Sequence, residues 1–387
     1  MKIIPYGKQD IDKSDIAEVV KILKSDFITQ GTAVKKFEEK LAGYCGAKHA
    51  VAVSNGTAAL HIACLAAGLT RSDEAITTPV TFLSTANSVL YTGARPVFAD
   101  IDYETLNIKP EEVKKRITKK TKVILPVHFA GLPCDMREIF KIAKDRNISV
   151  IEDGCHSLGA EYKDRGKWIK VGSCGHSDMT VFSFHPVKHI TTGEGGAITT
   201  NNKKLYEKLM ALRTHGVYKT SSMMKKHGLW YYEMRELGFN YRITDFQCAL
   251  GLSQLKKLED FLKKRRIIAN IYNEAFKNID GIDITPVDKN KGHAYHLYIL
   301  KIDFKKFKTT RQNFVLKLKK EGILTQVHYI PIYRQPYYAK RYPRKVENFP
   351  MAEKYYKKAV SIPMYSGMSG KEIKKVVAVI KNLLLGS

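Results

Sequence analysis

Residues His49–Gly68 read HAVAVSNGTAALHIACLAAG, so that a strand signal, a turn and a helix signal follow one another. HAVAVS is a run of small and β-branched residues of strand length, Ser54-Asn55-Gly56-Thr57 is a turn, and TAALHIACLAAG has the apolar spacing of a helix. The same order recurs as far as Thr200. AITTPV precedes a helix expected over Phe82 to Tyr91, and KVILPVHF precedes one starting near Cys134. SVIED, MTVFSF and GAITT complete the β-branched runs. Such alternation predicts an α/β fold with a mostly parallel, mixed sheet flanked by helices on both faces. Its ligand site should lie beyond the carboxyl ends of the strands.

Past Thr200 the pattern changes. Thr244 to Gln247 has capping-box spacing and opens a continuous helical pattern reaching about Phe276. A strand follows at Tyr295 to Ile302, then a helix behind a second box at Thr309 to Gln312 and a strand near Leu324 to His328. A last helix runs from Ser369 to Leu385 behind a third box, Ser369 to Glu372. The chain thus divides into residues 1–250, a large α/β domain with an N-terminal segment, and 251–387, a smaller α+β domain. A length of 387 residues accommodates both, since single cores stop growing at roughly 250 to 300 residues.

Composition narrows the function classes. The six cysteines form no C-x-x-C pair and are expected as free thiols, and no metal site is expected. No apolar run approaches the roughly 18 residues that span a bilayer. The start, MKIIPYGKQDIDKSD, lacks the apolar core of a signal peptide, so a cytoplasmic protein without a membrane partner is expected. A formal net charge of +27 raises the possibility of a DNA-binding regulator. Its basic residues fall in short dispersed groups such as KKRITKKTK and LKKRR, and the chain offers no helix-turn-helix. The same charge would instead draw in a small anionic substrate such as a nucleotide diphosphate.

Three places could carry chemistry. Gly56 and Thr57 stand between a strand and a helix N-terminus, where close backbone approach and free amides favour a phosphate, although simple turn chemistry would give the same pattern. Glu152 and Asp153 end the run SVIED and must face opposite sides of a strand. One can therefore enter a site while the other meets an internal partner, a helix cap or a salt bridge. In VFSFHPVKHITTGEGGA, Val181 to Ala197, one lysine sits just past a buried strand beside a glycine turn. A surface lysine is solvated there, whereas a shielded one loses its proton readily and forms Schiff bases. Phosphate cradle, strand-end aspartate and lysine, in that order, are the parts that a pyridoxal phosphate site requires.

The segments IEDGCHSLGAEY, VFSFHPVKHITTGEGGAITTNN, RTHGV and LGFNYRITDFQCALGLSQLKKLE, with the two longer ones near the start, resemble the DegT/StrS-type sugar aminotransferases over nearly the full chain. The resemblance implies fold type I of the pyridoxal 5'-phosphate-dependent transferases and an amino transfer from L-glutamate to a nucleotide-linked keto sugar. It places the cofactor on Lys188, its ring nitrogen against Asp153 and its 3'-oxygen near His156. Gly56, Thr57 and Ser183 would hold the phosphate and Phe82 would stack on the ring. Asn240 would reach the cofactor phosphate of a neighbouring subunit, which implies a homodimer with shared sites. Within the family, HPVKHITTGEGGA and TQVHYIPIYRQPYY look most like the pseudaminic-acid branch, which aminates C4 of a UDP-linked 4-keto-6-deoxy-N-acetylhexosamine. Tyr6, Phe27, Ile28, Thr29, His185, His328 and Tyr329 are then candidates for sugar and nucleotide. Bacillosamine-type and perosamine-type 4-aminations are the near alternatives. A dehydratase branch carries histidine in place of the lysine, but here Lys188 holds the motif position and His189 follows it.

Overall fold

The computed structural model describes residues 2–342 and 348–386. Helices α1 (Lys13–Leu23) and α2 (Thr32–Cys45) precede β1 (His49–Val53), which passes through the Ser54–Asn55 turn into α3 (Gly56–Ala66). Then come β2 (Glu74–Thr77), α4 (Leu83–Tyr91), β3 (Arg95–Phe98), α5 (Pro110–Arg116), β4 (Thr121–Leu125), α6 (Met136–Lys144) and β5 (Ser149–Asp153). A hairpin, β6 (Glu161–Asp164) and β7 (Lys167–Lys170), leads to β8 (Met179–Ser183), β9 (Gly196–Thr200) and α7 (Lys203–Arg213). The seven-stranded sheet has the order β1-β9-β8-β5-β4-β2-β3. Pairs from β8 to β3 are parallel, and β9 runs antiparallel to both β1 and β8. The mixed, mostly parallel sheet expected from the strand and helix alternation is therefore present, with the return strand GAITT as its antiparallel member.

Two glycines fix the corner that matters. A side chain at Gly56 would come within 2.9 Å of Ser183 Cβ, and one at Gly196 within 2.5 Å of the Asn55 carbonyl oxygen. Both distances are below any normal contact, so the start of α3 lies directly on the ends of β8 and β9. Behind this corner Arg213 donates to the Glu38 carboxylate (2.5 Å) and to the Ala52 carbonyl (2.8 Å), while the Ala52 amide donates to Glu38. Those bonds pair the buried Arg213 and Glu38 charges and clip β1 in place.

The pattern from Thr244 to Phe276 is two helices, not one. Helix α8 (Ser221–His227) is followed by α9 (Asp245–Lys256), which opens on the expected Thr244 capping box, and α10 (Leu258–Phe276) starts after Lys257. The break has a structural role. Helix α9 packs on α1 and α2, and α10 turns away into a second core. Lys257 ties the joint to Asp12 (2.9 Å) and to the buried Asp15 (2.5 Å). Apolar spacing continues through a one-residue break, so periodicity alone does not show it.

The second core surrounds a small antiparallel sheet of Ile282–Asp283, Tyr298–Ile302 and Ala359–Ile362. It is covered by α10, α11 (Arg311–Lys320) and, beyond α12 (Pro336–Arg341) and α13 (Pro350–Lys358), by α14 (Gly370–Leu385). The Ser369 capping box is present, but α11 is capped by Thr310 alone, not by a box from Thr309. The strand expected over Leu324 to His328 is a loop with one bridge, Gln326 to Ser361, and the one expected from Tyr295 begins only at Tyr298. Ile4 bridges Ile323 and packs into this second core, which carries the N-terminal segment to the same side as the C-terminal loops.

Candidate active site

Beyond the carboxyl ends of β1, β5 and β8 lies a cavity of about 940 Å³. One wall comes from the main sheet, and the other from Tyr6, His296 and the 326–330 loop of the second core. Helix α3 points its N-terminus into the cavity. Asn55 caps it by accepting from the Ala58 amide at 2.8 Å. The preceding amides of Gly56 and Thr57 have no carbonyl in their own helix to reach and line the cavity. Ser183, at the end of β8, stands against Gly56. These groups form a small anion cradle made of backbone donors and a hydroxyl.

Glu152 and Asp153 separate to opposite faces of β5, as strand geometry requires. Glu152 faces away from the cavity, bonded to His128 Nε2 (2.7 Å), Ser177 Oγ (2.5 Å) and Thr180 Oγ1 (2.9 Å). Burial pushes its carboxyl up, but His128 and these donors outweigh it and hold it below the usual range. The Cys134 amide donates to His128 Nδ1 at 3.0 Å, so the proton of that ring is on Nε2. Asp153 lines the cavity, accepting from Thr85 Oγ1 (2.7 Å) and from the Cys155 amide (3.1 Å). Among the described residues no cation is paired with it, and at 3 % exposure its charge needs a cationic partner.

Lys188 follows β8 through a turn closed by its own amide on the His185 carbonyl (2.9 Å), and it lines the cavity. Burial lowers the proton affinity of its amine, and the neighbouring Cys155 and Asp153 only partly offset this. His156 is pushed far below the ordinary imidazole range, first by burial and then by Lys188, His328 and His189. Its Nε2 is 3.2 Å from the Tyr329 hydroxyl, and its buried Nδ1 has no hydrogen-bond partner. His328 is held by Ser361 Oγ at 2.8 Å and pushed down to about 3 by burial and by Lys188. Tyr6 packs on His328, and Phe82, half of it exposed at the cavity, packs on Tyr329.

The sequence-predicted residues Gly56, Thr57, Phe82, Asp153, His156, Ser183, His185, Lys188, Tyr6, His328 and Tyr329 all line this one cavity. Phe27, Ile28, Thr29 and Asn240 do not. Phe27 and Ile28 are exposed, Thr29 bridges Thr244, and Asn240 bridges Thr214 with its side exposed, although its neighbour Tyr241 lines the cavity. Thr85, His296, Gln326 and Glu194 were missed. Of these Thr85 alone carries a spacing signal, standing four residues after Thr81 with the two hydroxyls 2.8 Å apart; the rest arrive through tertiary contact. No group of His, Cys, Asp or Glu suited to a metal occurs among the described residues.

An anion cradle, an unpaired buried aspartate and a desolvated lysine at the ends of three sheet strands define an enzyme that works through a pyridoxal-type cofactor. The chain belongs to the DegT/DnrJ/EryC1/StrS aminotransferase family, which it matches over residues 9–381. It is 43% identical over 387 residues to the spore coat polysaccharide biosynthesis protein SpsC of Bacillus subtilis (99% of this chain, 98% of the relative). It is 39% identical over 386 residues to a UDP-4-amino-4,6-dideoxy-N-acetyl-beta-L-altrosamine transaminase of Campylobacter jejuni (99% and 98%). The solved structure of Helicobacter pylori PseC, an aminotransferase involved in the biosynthesis of pseudoaminic acid, superposes with a TM-score of 0.91 at 33% identity over the whole of both chains. The protein is therefore a sugar aminotransferase of fold type I whose cofactor is pyridoxal 5'-phosphate, and the enzyme reading replaces that of a DNA-binding regulator. The cradle fits the phosphate and Asp153 fits a protonated ring nitrogen. Among the described residues no helix is long and apolar enough to cross a membrane.

Proposed function

We propose that the protein transfers the amino group of L-glutamate to C4 of a UDP-linked 4-keto-6-deoxy-N-acetylhexosamine, as in the making of pseudaminic-acid-type sugars for surface or flagellin glycans. What carries this reading is one cavity, about 940 Å³ in volume, in which Tyr6, His328 and Tyr329 stand across from Lys188. A space of that size accommodates a nucleotide sugar, and the likeness to the Campylobacter jejuni transaminase and to PseC supports this acceptor. The likeness to SpsC favours a second reading, amination of another 4-keto-sugar nucleotide of bacillosamine or perosamine type.

Each residue then has a task. The Gly56 and Thr57 amides, the α3 dipole and the Ser183 hydroxyl hold the phosphate. Asp153, braced by Thr85 and the Cys155 amide, holds a proton on the ring nitrogen, and His156 donates toward the ring oxygen. Phe82 covers one ring face. When bound, pyridoxal phosphate supplies the electron sink that makes the donor's α-proton removable. Lys188, whose amine gives up its proton more readily because burial desolvates it, takes that proton and returns it on the cofactor side. His185, His328, Tyr329, Tyr6 and the Phe27–Thr29 segment bind sugar and nucleotide. Asn240 and Phe27–Thr29 lie outside their own chain's cavity, so we place them at the site of a second copy in a cytoplasmic homodimer. We also take residues 1–250 as the cofactor-binding domain and 251–387 as the smaller one.

The test is incubation of purified protein with L-glutamate and a panel of UDP-linked and GDP-linked keto sugars, with mass detection of the product. A 4-amino product from the UDP-linked 6-deoxy-N-acetylhexosamine is expected, and its absence while another panel member is aminated overturns the substrate. An Asn240→Ala protein that stays dimeric yet loses cofactor affinity would support the shared site.

A further inference from the structure

Lys188 shares its cavity with His156, His296 and His328. Its charge is among the influences that lower His156, His189, His296 and His328, so its amine is within electrostatic reach of all four. In the proposed reaction the donor's Cα–H bond breaks, the electron pair passes to the cofactor ring and the proton goes to Lys188. For as long as it carries that proton, the buried ammonium needs an acceptor. The acids lining the cavity are Asp153, already bonded to Thr85 and Cys155, and Glu194, exposed at the mouth. With both carboxylates engaged or exposed, the imidazoles that share the cavity are the remaining strong bases that could accept from it.

Three of the rings are engaged. His189 Nε2 donates to the Ala294 carbonyl (3.1 Å), His156 Nε2 meets the Tyr329 hydroxyl, and His328 Nδ1 meets Ser361. Among these four, His296 is the ring with neither nitrogen in a hydrogen bond. It lines the cavity at 4% exposure, and its Nδ1 is buried without a partner. Its place is fixed on every side. The ring packs on His156 at 4.4 Å between centroids and on His189 at 5.7 Å. Its carbonyl and that of Tyr295 accept from the buried guanidinium of Arg265 (3.3 and 3.1 Å). Burial, followed by the fields of Lys188, His156, His189 and Arg265, keeps it uncharged. A neutral imidazole held rigidly with a free lone pair is a proton acceptor without a charge of its own.

We propose that His296 is a positioning residue for Lys188, accepting a hydrogen bond from its ammonium while that side chain carries the proton. The proposal rests on the aminotransferase reading but not on the identity of donor or acceptor, and the experiment separates the two. Cofactor-stripped protein is reconstituted with pyridoxal phosphate across a range of pH, and the rate of absorbance growth reports the neutral fraction of Lys188. An acceptor favours the ammonium, so removing it lowers the proton affinity of Lys188. His296→Phe, which keeps the packing, moves the midpoint of the rate profile down by about half a pH unit or more, whereas His296→Gln, which keeps an acceptor, leaves it near that of the unmodified protein. In the L-glutamate half-reaction, His296→Phe lowers kcat about tenfold with KM unchanged. A midpoint unmoved or raised in a His296→Phe protein that melts normally overturns the proposal. Failure of the unmodified protein to take up pyridoxal phosphate would overturn the enzyme reading instead.

Discussion

The two walls of the cavity are built differently. Gly56, Asp153, Ser183 and Lys188 sit at or just beyond the ends of neighbouring strands, where Val53 and Ser183 both face Gly196, and Asp153 faces Val181. Asp153 and Ser183 belong to the backbone ladder itself, Gly56 is pressed against Ser183, and Lys188 is held by a turn just past the end of β8. Across the cavity, Tyr6, Gln326, His328 and Tyr329 lie on loops held by a few contacts. They are tied down by the Gln326–Ser361 backbone pair, His328 on Ser361, the Tyr355 hydroxyl on the His328 carbonyl, Tyr329 on His156, and the Met364 amide on the Tyr6 carbonyl. The sheet wall holds the groups whose geometry cannot vary from one sugar to another, and the loop wall holds those that can. Chemistry and selection are in this way placed on elements of different stiffness.

Substitutions on the sheet wall should cost most. Lys188→Ala removes the proton carrier and is expected to lower turnover by about 10⁴-fold, with loss of the visible absorption of the holoenzyme. Asp153→Asn keeps the shape and its bond from Thr85 but loses the charge. Turnover should fall by about 10² to 10³-fold, read as the rate of the glutamate half-reaction. Gly56→Ala drives a methyl group to 2.9 Å from Ser183 Cβ. Overpacking of about 1–3 kcal/mol then weakens cofactor binding by about ten- to a hundredfold, measurable by equilibrium titration, and an unchanged affinity would show that this wall can yield.

The loop wall should give smaller and more selective effects. Tyr329→Phe loses one hydroxyl bond and is expected to raise KM for the keto sugar by about fivefold, the equivalent of about 1 kcal/mol, with the glutamate half-reaction intact. A loss in that half-reaction instead would assign Tyr329 to the chemistry. His328 is pushed down to about 3, so it charges only in strong acid. Going from about pH 8 to 5 should not protonate it, and the contribution of this wall to KM for the sugar stays flat. A sigmoidal change near pH 6 would show that sugar binding raises its proton affinity.

Much of the sheet wall was legible in the chain. A strand, a glycine turn and a helix in HAVAVSNGTAAL, two acids at the end of SVIED and a lysine after MTVFSF each leave a local mark, because period-two alternation decides which way a strand residue points. The loop wall left less. The residue types from Leu324 to His328 suit a strand and predict one. In the fold it is a loop with one bridge, Gln326 to Ser361, and the Leu324 amide bonds the Ile4 carbonyl. Thr85 left no sign of supporting Asp153, because it lies on helix α4, 68 residues from the end of strand β5, and His296 carries no local signal of its place in the cavity.

The sequence by itself determined the alternation that makes the sheet, the order of cradle, aspartate and lysine along it, and through them the class of chemistry, because each depends on residues close together in the chain. Only the tertiary structure decided that one helical pattern breaks at Lys257 and that Tyr6 crosses to the C-terminal loops. It alone decided that Asp153 has no paired cation among the described residues and that His156, His296 and His328 share a cavity with Lys188. Those facts depend on burial and on which surfaces meet, and both are set by packing between segments far apart in the chain.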